Sequence, residues 1–305
     1  MNFSSLEIFC AVASEQSVAR AARHLARVQS NVTTRVKQLE KELEVDLFSR
    51  GGKRMRLTPS GRTMLDYAQR ILYLAEEARL AMKPEQQFGR LSIGAMESTA
   101  AARLPALLSK YHSRWPRVEL EISIGTSRSL VEDVERGHLD CVFVADSGFL
   151  GARDPQSKFT ARGLSATRAY REDLLLILPP NHPTVGRPTD LRLKTLAAFS
   201  SGCAYRSVLE RWLGIENFEA DGDWKVMELV SYHAILACVA AGSCFALCPR
   251  SIVSLQRVPM DICTQKIATI DTYLVAQSSY KSSAYKELLQ FLQVSMYHRP
   301  GGING

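Results

Sequence analysis

The stretch that decides the fold is "SVARAARHLARVQSNVTTRVKQLE", residues 17–40. Its second half mixes small polar residues, basic side chains and spaced apolar residues. It fits neither a strand nor an ordinary surface helix. Val32, Val36 and Leu39 recur at steps of four and three, which places them on one helical face. The spacing predicts a helix over about 29–40, with Ser30, Asn31, Thr33, Thr34, Arg35 and Lys37 turned outward. Upstream, Ala21, Ala22 and Leu25 make a small apolar face that lets a neighbouring helix approach closely. Before them "SLEIFCAVASEQ" carries Leu6, Phe9, Val12 and Ala13 at helical spacing, and a break follows at 26–28. Two helices, a short turn and a helix with a polar, basic outer face form the helix-turn-helix pattern.

The outer residue types suit a DNA major groove. Asn pairs two-pronged with adenine, Arg with guanine, and Thr offers a hydroxyl and a methyl. A helix N-terminus also favours phosphate. A merely solvated basic face would look similar, so the flanking sequence has to decide. "DLFSRGGKRMRLTPSG" supplies apolar Leu47 and Phe48, a Gly51-Gly52 turn and the alternating run "KRMRL". That reads as a two-stranded wing whose basic side chains reach phosphates or the minor groove. Thr58 and Pro59 read as N-cap and first helical residue. The helix they start is expected over 59–82, with Leu65, Ala68, Ile71, Leu72, Ala75 and Ala78 along one side. A stripe on so long a helix points to pairing with a second copy.

The 305 residues allow two domains, and 46 % hydrophobic content is enough to build cores. The apolar runs are too short to span a membrane, and "MNFSSLEIFC" has no export-signal pattern, so a cytoplasmic protein is expected. The formal charge is +7, and cations crowd one segment: Arg20, Arg23, Arg27, Arg35, Lys37, Lys41, Arg50, Lys53, Arg54, Arg56 and Arg62. Only Glu40, Glu42, Glu44 and Asp46 oppose them there. Seven cysteines without a paired framework read as free, mostly buried thiols. No metal-ligand set accompanies them, and no cofactor is implied. G-x-G-x-x-G, P-loop and G-x-S-x-G motifs are all missing, and no His is placed to activate a nucleophile, so no enzyme is expected. A solute-binding protein for transport is disfavoured by the basic N-terminal segment and the missing signal.

"KPEQQFGR", residues 83–90, reads as a hinge. From Leu91 strands alternate with helices. The strand-like runs are "LSIGA", "VELEISIG", "CVFVAD", "DLLLILP", "WKVMEL", "CFALCP" and "DTYLVAQ", with helices expected over 100–115, 129–137, 207–213 and 231–241. This is an α/β region with a mostly parallel sheet.

In order and spacing, Ala21-Ala22, Leu25, Gln29-Ser30, Val32, Leu39-Glu40, Leu43, Leu47-Phe48, Arg50, Leu57-Thr58 and Gly61 resemble the N-terminal signature of the LysR-type transcriptional regulators. The likeness is specific in the first ninety residues and architectural beyond them. It implies an α/β protein with an N-terminal winged helix-turn-helix, a long linker helix that dimerises, and a two-lobed effector domain similar to periplasmic binding proteins. The expected parts are 1–58 for DNA binding, 59–82 for the linker, 83–90 for the hinge and 91–305 for the effector domain. Within the last, lobe 1 takes about 91–160 and 270–305, and lobe 2 about 165–265. The resemblance makes Gln29, Ser30, Asn31, Thr33, Thr34, Arg35 and Lys37 the base- and phosphate-facing candidates, with Arg50 and Arg54 in support from the wing, or Arg50 instead holding the wing in place. Implied partners are an inverted-repeat operator in double-stranded DNA, a small-molecule effector, RNA polymerase, and further copies of the chain in a homodimer or homotetramer. Three positions depart from the pattern: Val28 where Ser is frequent, Ser60 where Ala is frequent, and Glu44 where Gly is usual.

In two-lobed α/β domains ligands sit at the carboxyl ends of strands and the N-termini of helices. That rule selects Ser98 and Thr99, Thr126 and Ser127, Asp146, then Ser200, Ser201, Cys203, Tyr205 and Arg206, and Ser231. Taken singly, each Ser or Thr is also an ordinary N-cap. Hydroxyls at helix starts favour an anion, whereas Glu97, Asp146 and Glu228 favour an amine, and both classes of effector stay open. Cys203 is either a thiol switch or a packed thiol.

Overall fold

The computed structural model describes residues 1–49, 55–81, 89–146, 159–215 and 224–297. These form two compact units, one running through the long fourth helix and the other beginning at the first strand.

The N-terminal unit is built from α1 (Phe3–Glu15), α2 (Val18–His24), α3 (Gln29–Leu43) and α4 (Pro59–Ala81). Asn2 and Ser17 cap α1 and α2 by accepting the backbone N–H of Ser5 and Arg20. Leu6, Ile8, Phe9, Val12, Ala21, Ala22, Val32, Val36, Leu39, Leu47, Phe48 and Ala68 form one core. α3 runs three residues past the expected end at Glu40, and stops at Glu44, which adopts a left-handed conformation at φ 55°. The N–H of Val45 then reaches back to the Glu40 carbonyl at 3.2 Å, closing the helix end.

The carboxylate of Glu40 accepts the N–H of Leu47 (2.8 Å) and of Phe48 (3.1 Å), so α3 itself sets where the wing begins. The wing's base is an antiparallel bridge between Phe48 and Leu57, with the Ser49 N–H donating to the Arg56 carbonyl. Residues 50–54, with the expected contacts Arg50 and Arg54, lie outside the described residues, as do residues 82–88 of the expected hinge. Thr58 Oγ1 accepts the N–H of Gly61 at 2.9 Å, the N-cap read from the sequence. A Cβ on Gly61 would stand 2.0 Å from the Leu47 carbonyl oxygen, so only glycine lets α4 start against the wing.

The C-terminal unit is mixed rather than mostly parallel. Its large sheet has the order β2-β1-β3-β8-β4-β7, built from β2 (Glu119–Ile124), β1 (Arg90–Ala95), β3 (Cys141–Ala145), β8 (Cys263–Gln277), β4 (Leu164–Leu178) and β7 (Ala246–Pro249). β1 pairs in parallel with β2 and β3, whereas β8 is antiparallel to β3 and β4, and β4 is antiparallel to β7. The two parallel strands β5 (Thr195–Ala198) and β6 (Lys225–Glu228) join the β7 edge through a bridge between Leu196 and Phe245. The departure has one cause. β4 and β8 are each fifteen residues long and serve both lobes. The apolar runs "DLLLILP" and "DTYLVAQ" mark only half of each. The other halves alternate polar residues over a lobe junction, where no continuous apolar face is needed. The crossing therefore lies inside strands, beside the register shifts at Arg168/Tyr170 and Leu174/Leu175. The first residues of β4, from Leu164, pair with the end of β8 that also pairs with β3.

Helices α5 (Glu97–Ala102), α6 (Leu104–Arg114) and α7 (Ser127–Arg136) belong to lobe 1. Lobe 2 carries α8 (Ala204–Leu213), α9 (Tyr232–Ala240) and the short α10 (Arg250–Val253), and α11 (Ser283–Tyr297) returns to lobe 1. The single helix expected over 100–115 is broken at Arg103, because Pro105 in the first turn of α6 has no N–H to continue the ladder. Lobe 1 packs one face of its sheet with Leu104, Leu107, Tyr111, Tyr285, Leu288 and Leu292, and the other with Leu130, Val131, Val134 and Phe159. Lobe 2 has its own core around Leu176, Leu196, Leu209, Leu236 and Phe245.

Candidate functional site

Two sites emerge, one in each unit. In the first, Val32, Val36 and Leu39 are buried and tie α3 into the core. Gln29, Ser30, Asn31, Thr34 and Lys37 are exposed on its outer face, while Thr33 and Arg35 are half-buried. Thr33 donates its hydroxyl to the Gln29 carbonyl at 3.0 Å, which leaves its methyl and a lone pair for a partner. Among the described residues no ion pair engages Arg35 or Lys37, so both charges remain available to an anion. Val28 is the N-cap of α3, makes no side-chain capping bond, and is 71 % exposed.

α4 divides its apolar side chains between two tasks. Ala68 is buried in the core of its own unit, with Met64, Leu65, Ile71 and Leu72 packed beside it. The first half of the expected pairing stripe thus holds the helix to its own domain. Tyr67 and Leu74, seven residues apart on another face, stay exposed together with Phe3.

The second site is a cavity of about 510 Å³ in the C-terminal unit. Lobe 1 lines it with Met96, Glu97, Ser98, Ile124, Gly125, Thr126 and Ser127, where β1 and β2 hand over to α5 and α7. Lobe 2 contributes Phe199, Ser200, Cys203, Ala204, Tyr205, Glu228, Leu229, Val230 and Tyr232, at the ends of β5 and β6 and the starts of α8 and α9. The strand-end rule thus brings Ser98, Thr126, Ser127, Cys203 and Tyr205 together. Thr99, Asp146 and Ser231 are not among the lining residues: Thr99 is buried, and Ser231 caps α9 by accepting the N–H of Ala234 at 3.2 Å.

Several lining hydroxyls already have partners. Thr126 and Ser129 exchange backbone and side-chain hydrogen bonds as the cap of α7. Ser127 lies against the Met96 sulfur at 3.2 Å. Ser98 Oγ meets Tyr205 Oη at 3.4 Å, one contribution from each lobe. Burial pushes the Tyr205 and Tyr232 hydroxyls up, and both stay protonated. Burial also raises the Cys203 thiol above its ordinary value, against smaller lowering contributions from the N–H groups of Arg206 and Tyr205. That makes it a packed thiol rather than a reactive thiolate. All seven cysteines are free. Among the described residues no three His, Cys, Asp or Glu side chains gather as a metal site.

The apolar walls were less visible beforehand. Phe199 and Tyr232 stack edge to face with centroids 4.9 Å apart. Ile124, 63 % exposed, and Val230, 90 % exposed, form opposite lips. Phe199 sits directly before "SSG" at the end of a strand, and that adjacency was the available signal.

A DNA-reading helix with a wing, followed by a two-lobed domain enclosing a metabolite-sized cavity, defines a class of ligand-responsive transcription factor. Residues 3–62 match the family described as "Bacterial regulatory helix-turn-helix protein, lysR family", and residues 84–296 match "LysR substrate binding domain". The chain belongs to the LysR family of DNA-binding transcriptional regulators. It is 34 % identical over 255 residues to the transcriptional regulator GltR of Bacillus subtilis, covering 83 % of this chain and 81 % of that protein. To YusT of the same organism, an uncharacterised regulator, it is 32 % identical over 297 residues, covering 95 % and 94 %. Among solved structures, a full-length OxyR variant from Pseudomonas aeruginosa aligns with a TM-score of 0.70 at 23 % identity, covering 96 % of this chain and 95 % of that one. Full-length CbnR complexed with its target DNA aligns at 0.66 and 24 % identity, covering 97 % and 100 %. At these identities the structural likeness speaks for the fold.

Proposed function

We propose that the chain reads an operator through the outer face of α3 and that a small metabolite in the inter-lobe cavity controls this reading. The observation that carries the proposal is the joint arrangement of Gln29, Ser30, Asn31, Thr34, Arg35 and Lys37 on one helix whose opposite face is buried. Thr33 contributes its methyl, and Arg50 and Arg54 of the wing reach the backbone. In the sensor, Ser98, Thr126, Ser127, Cys203 and Tyr205 contact the effector, and the lips at Ile124 and Val230 close over it. A ligand that favours the closed arrangement shifts the equilibrium by its difference in affinity for the two states. Tyr67 and Leu74 pair α4 with a second copy, and the resulting two-fold reads an inverted repeat. A protein working on DNA in this way acts in the cytoplasm, with RNA polymerase as a further partner. No described helix is long and apolar enough to cross a membrane.

The test is a gel shift with the chain's own upstream region at two salt concentrations. Specific binding should weaken steeply with salt, and Thr34→Ala with Arg35→Ala should abolish it while the melting temperature holds. Unchanged operator affinity at constant salt refutes the assignment.

A further inference from the structure

The cavity is lined by two carboxylates and, among the described residues, by no Lys, Arg or His. The two acids are not equivalent. Glu228 is already paired: Arg206 Nη1 donates to its Oε1 at 3.1 Å, while Arg206 Nε faces Glu210 at 3.3 Å. Arg206 is buried between these two acids, so its charge is spent within lobe 2. Among the described residues no cation pairs with Glu97. The backbone N–H of Tyr232 approaches its carboxylate, but Oε2 is buried and, among the described residues, has no hydrogen-bond partner.

An orphaned carboxylate oxygen in a partly desolvated wall is unfavourable unless a donor arrives. Burial, the largest cause, raises the Glu97 carboxyl above its ordinary range, the direction expected for an acid awaiting a counter-charge. An anionic effector would meet two carboxylates and find no cation on the wall to bind it. An ammonium group would supply the missing donor and the missing charge together. The apolar part of the lining, Phe199, Tyr232, Met96, Ile124, Leu229 and Val230, suits an apolar body.

We infer that the effector is an amine with an apolar body, its ammonium group held by the Glu97 carboxylate and its body packed against the Phe199–Tyr232 pair. This rests on the cavity being the effector site. It runs against the anionic alternative that the hydroxyls at helix starts had left open, since Thr126 is engaged in the cap of α7, Ser127 with Met96 and Ser98 with Tyr205.

Three probes of matched shape test it on the full chain: phenethylamine, 3-phenylpropionate and 2-phenylethanol, each titrated to 20 mM with melting temperature as readout. The amine alone should raise the melting temperature with dose, and Glu97→Gln should remove that rise by at least tenfold in apparent affinity. Glu210→Gln, outside the cavity, should leave it in place. A rise with the carboxylate, an amine effect that survives Glu97→Gln, or no rise with the amine overturns the inference. The two readings fail differently. If 3-phenylpropionate binds and Ser98→Trp blocks it, the cavity remains the effector site and only the amine is wrong. If no probe binds and Ser98→Trp leaves operator control in cells untouched, the effector site itself is misplaced.

Discussion

Val28 opens the recognition helix with a side chain that cannot accept a hydrogen bond. The first N–H groups of α3 therefore lack the cap that Ser17 gives α2. Because Val28 is exposed, replacing it removes no packing. Val28→Ser should stabilise the chain by about 1 kcal/mol, seen as a higher urea midpoint with an unchanged slope. Glu44 poses the complementary problem at the other end, where its φ of 55° is a conformation that favours glycine. Glu44→Gly should stabilise by roughly 1 kcal/mol, read by the same unfolding experiment. Glu97 makes a prediction in pH. Its carboxyl is raised in the folded state by burial. Its contribution to stability is thus fully present below the unfolded value near 4.5 and lost as pH rises through the raised folded value. Glu97→Gln should accordingly melt higher than the parent at pH 7, and the gain should vanish toward pH 4.

At the scale of elements, the helix-turn-helix was legible because the spaced apolar positions Leu6, Phe9, Val12, Val32, Val36 and Leu39 have a single use, the core. The stripe on α4 was harder to read. Leu65, Ala68, Ile71 and Leu72 have the same spacing whether they meet α1 or a second copy, and periodicity cannot name the partner. Glu40 was visible as a signature position and as an acid among cations, but not as the carboxylate that anchors the N–H groups of Leu47 and Phe48. Removing that acceptor strands two donors beside the core. Glu40→Ala should cost roughly 1.5–3 kcal/mol and weaken operator binding further through a loosened wing. Unfolding and gel shifts on the same variant would separate the two effects. β4 and β8 were half-legible for a related reason: the apolar halves of the strands announced themselves, and the halves that alternate did not.

At the scale of the molecule, the cleft followed from a topological rule, but its polarity did not. Which hydroxyls are spent on caps, and which acid lacks a cation, depends on side chains far apart in sequence. The lobe junction shows the same dependence. Glu172, buried on β4, accepts Arg103 Nη2 at 2.7 Å from lobe 1 and the Ser251 N–H at 3.1 Å from the start of α10 in lobe 2. Glu172→Ala should destabilise the chain by about 3 kcal/mol and shift the effector dose response, measured by melting and by reporter induction. Sequence reading placed none of these three residues at the junction.

The returning strand β8 carries a consequence for how the protein is made. Lobe 1 packs Leu91 and Ile93, from near its start, against Leu288 and Leu292 on α11. It cannot close until the ribosome has released almost the whole chain. The DNA-reading unit, whose core is complete by Leu72, emerges much earlier and folds on its own contacts. Each nascent chain thus passes through an interval in which the core of its DNA-binding unit is complete and that of its sensor is not. A chain cut short by arrested translation would remain in that state, a DNA-binding unit without its sensor.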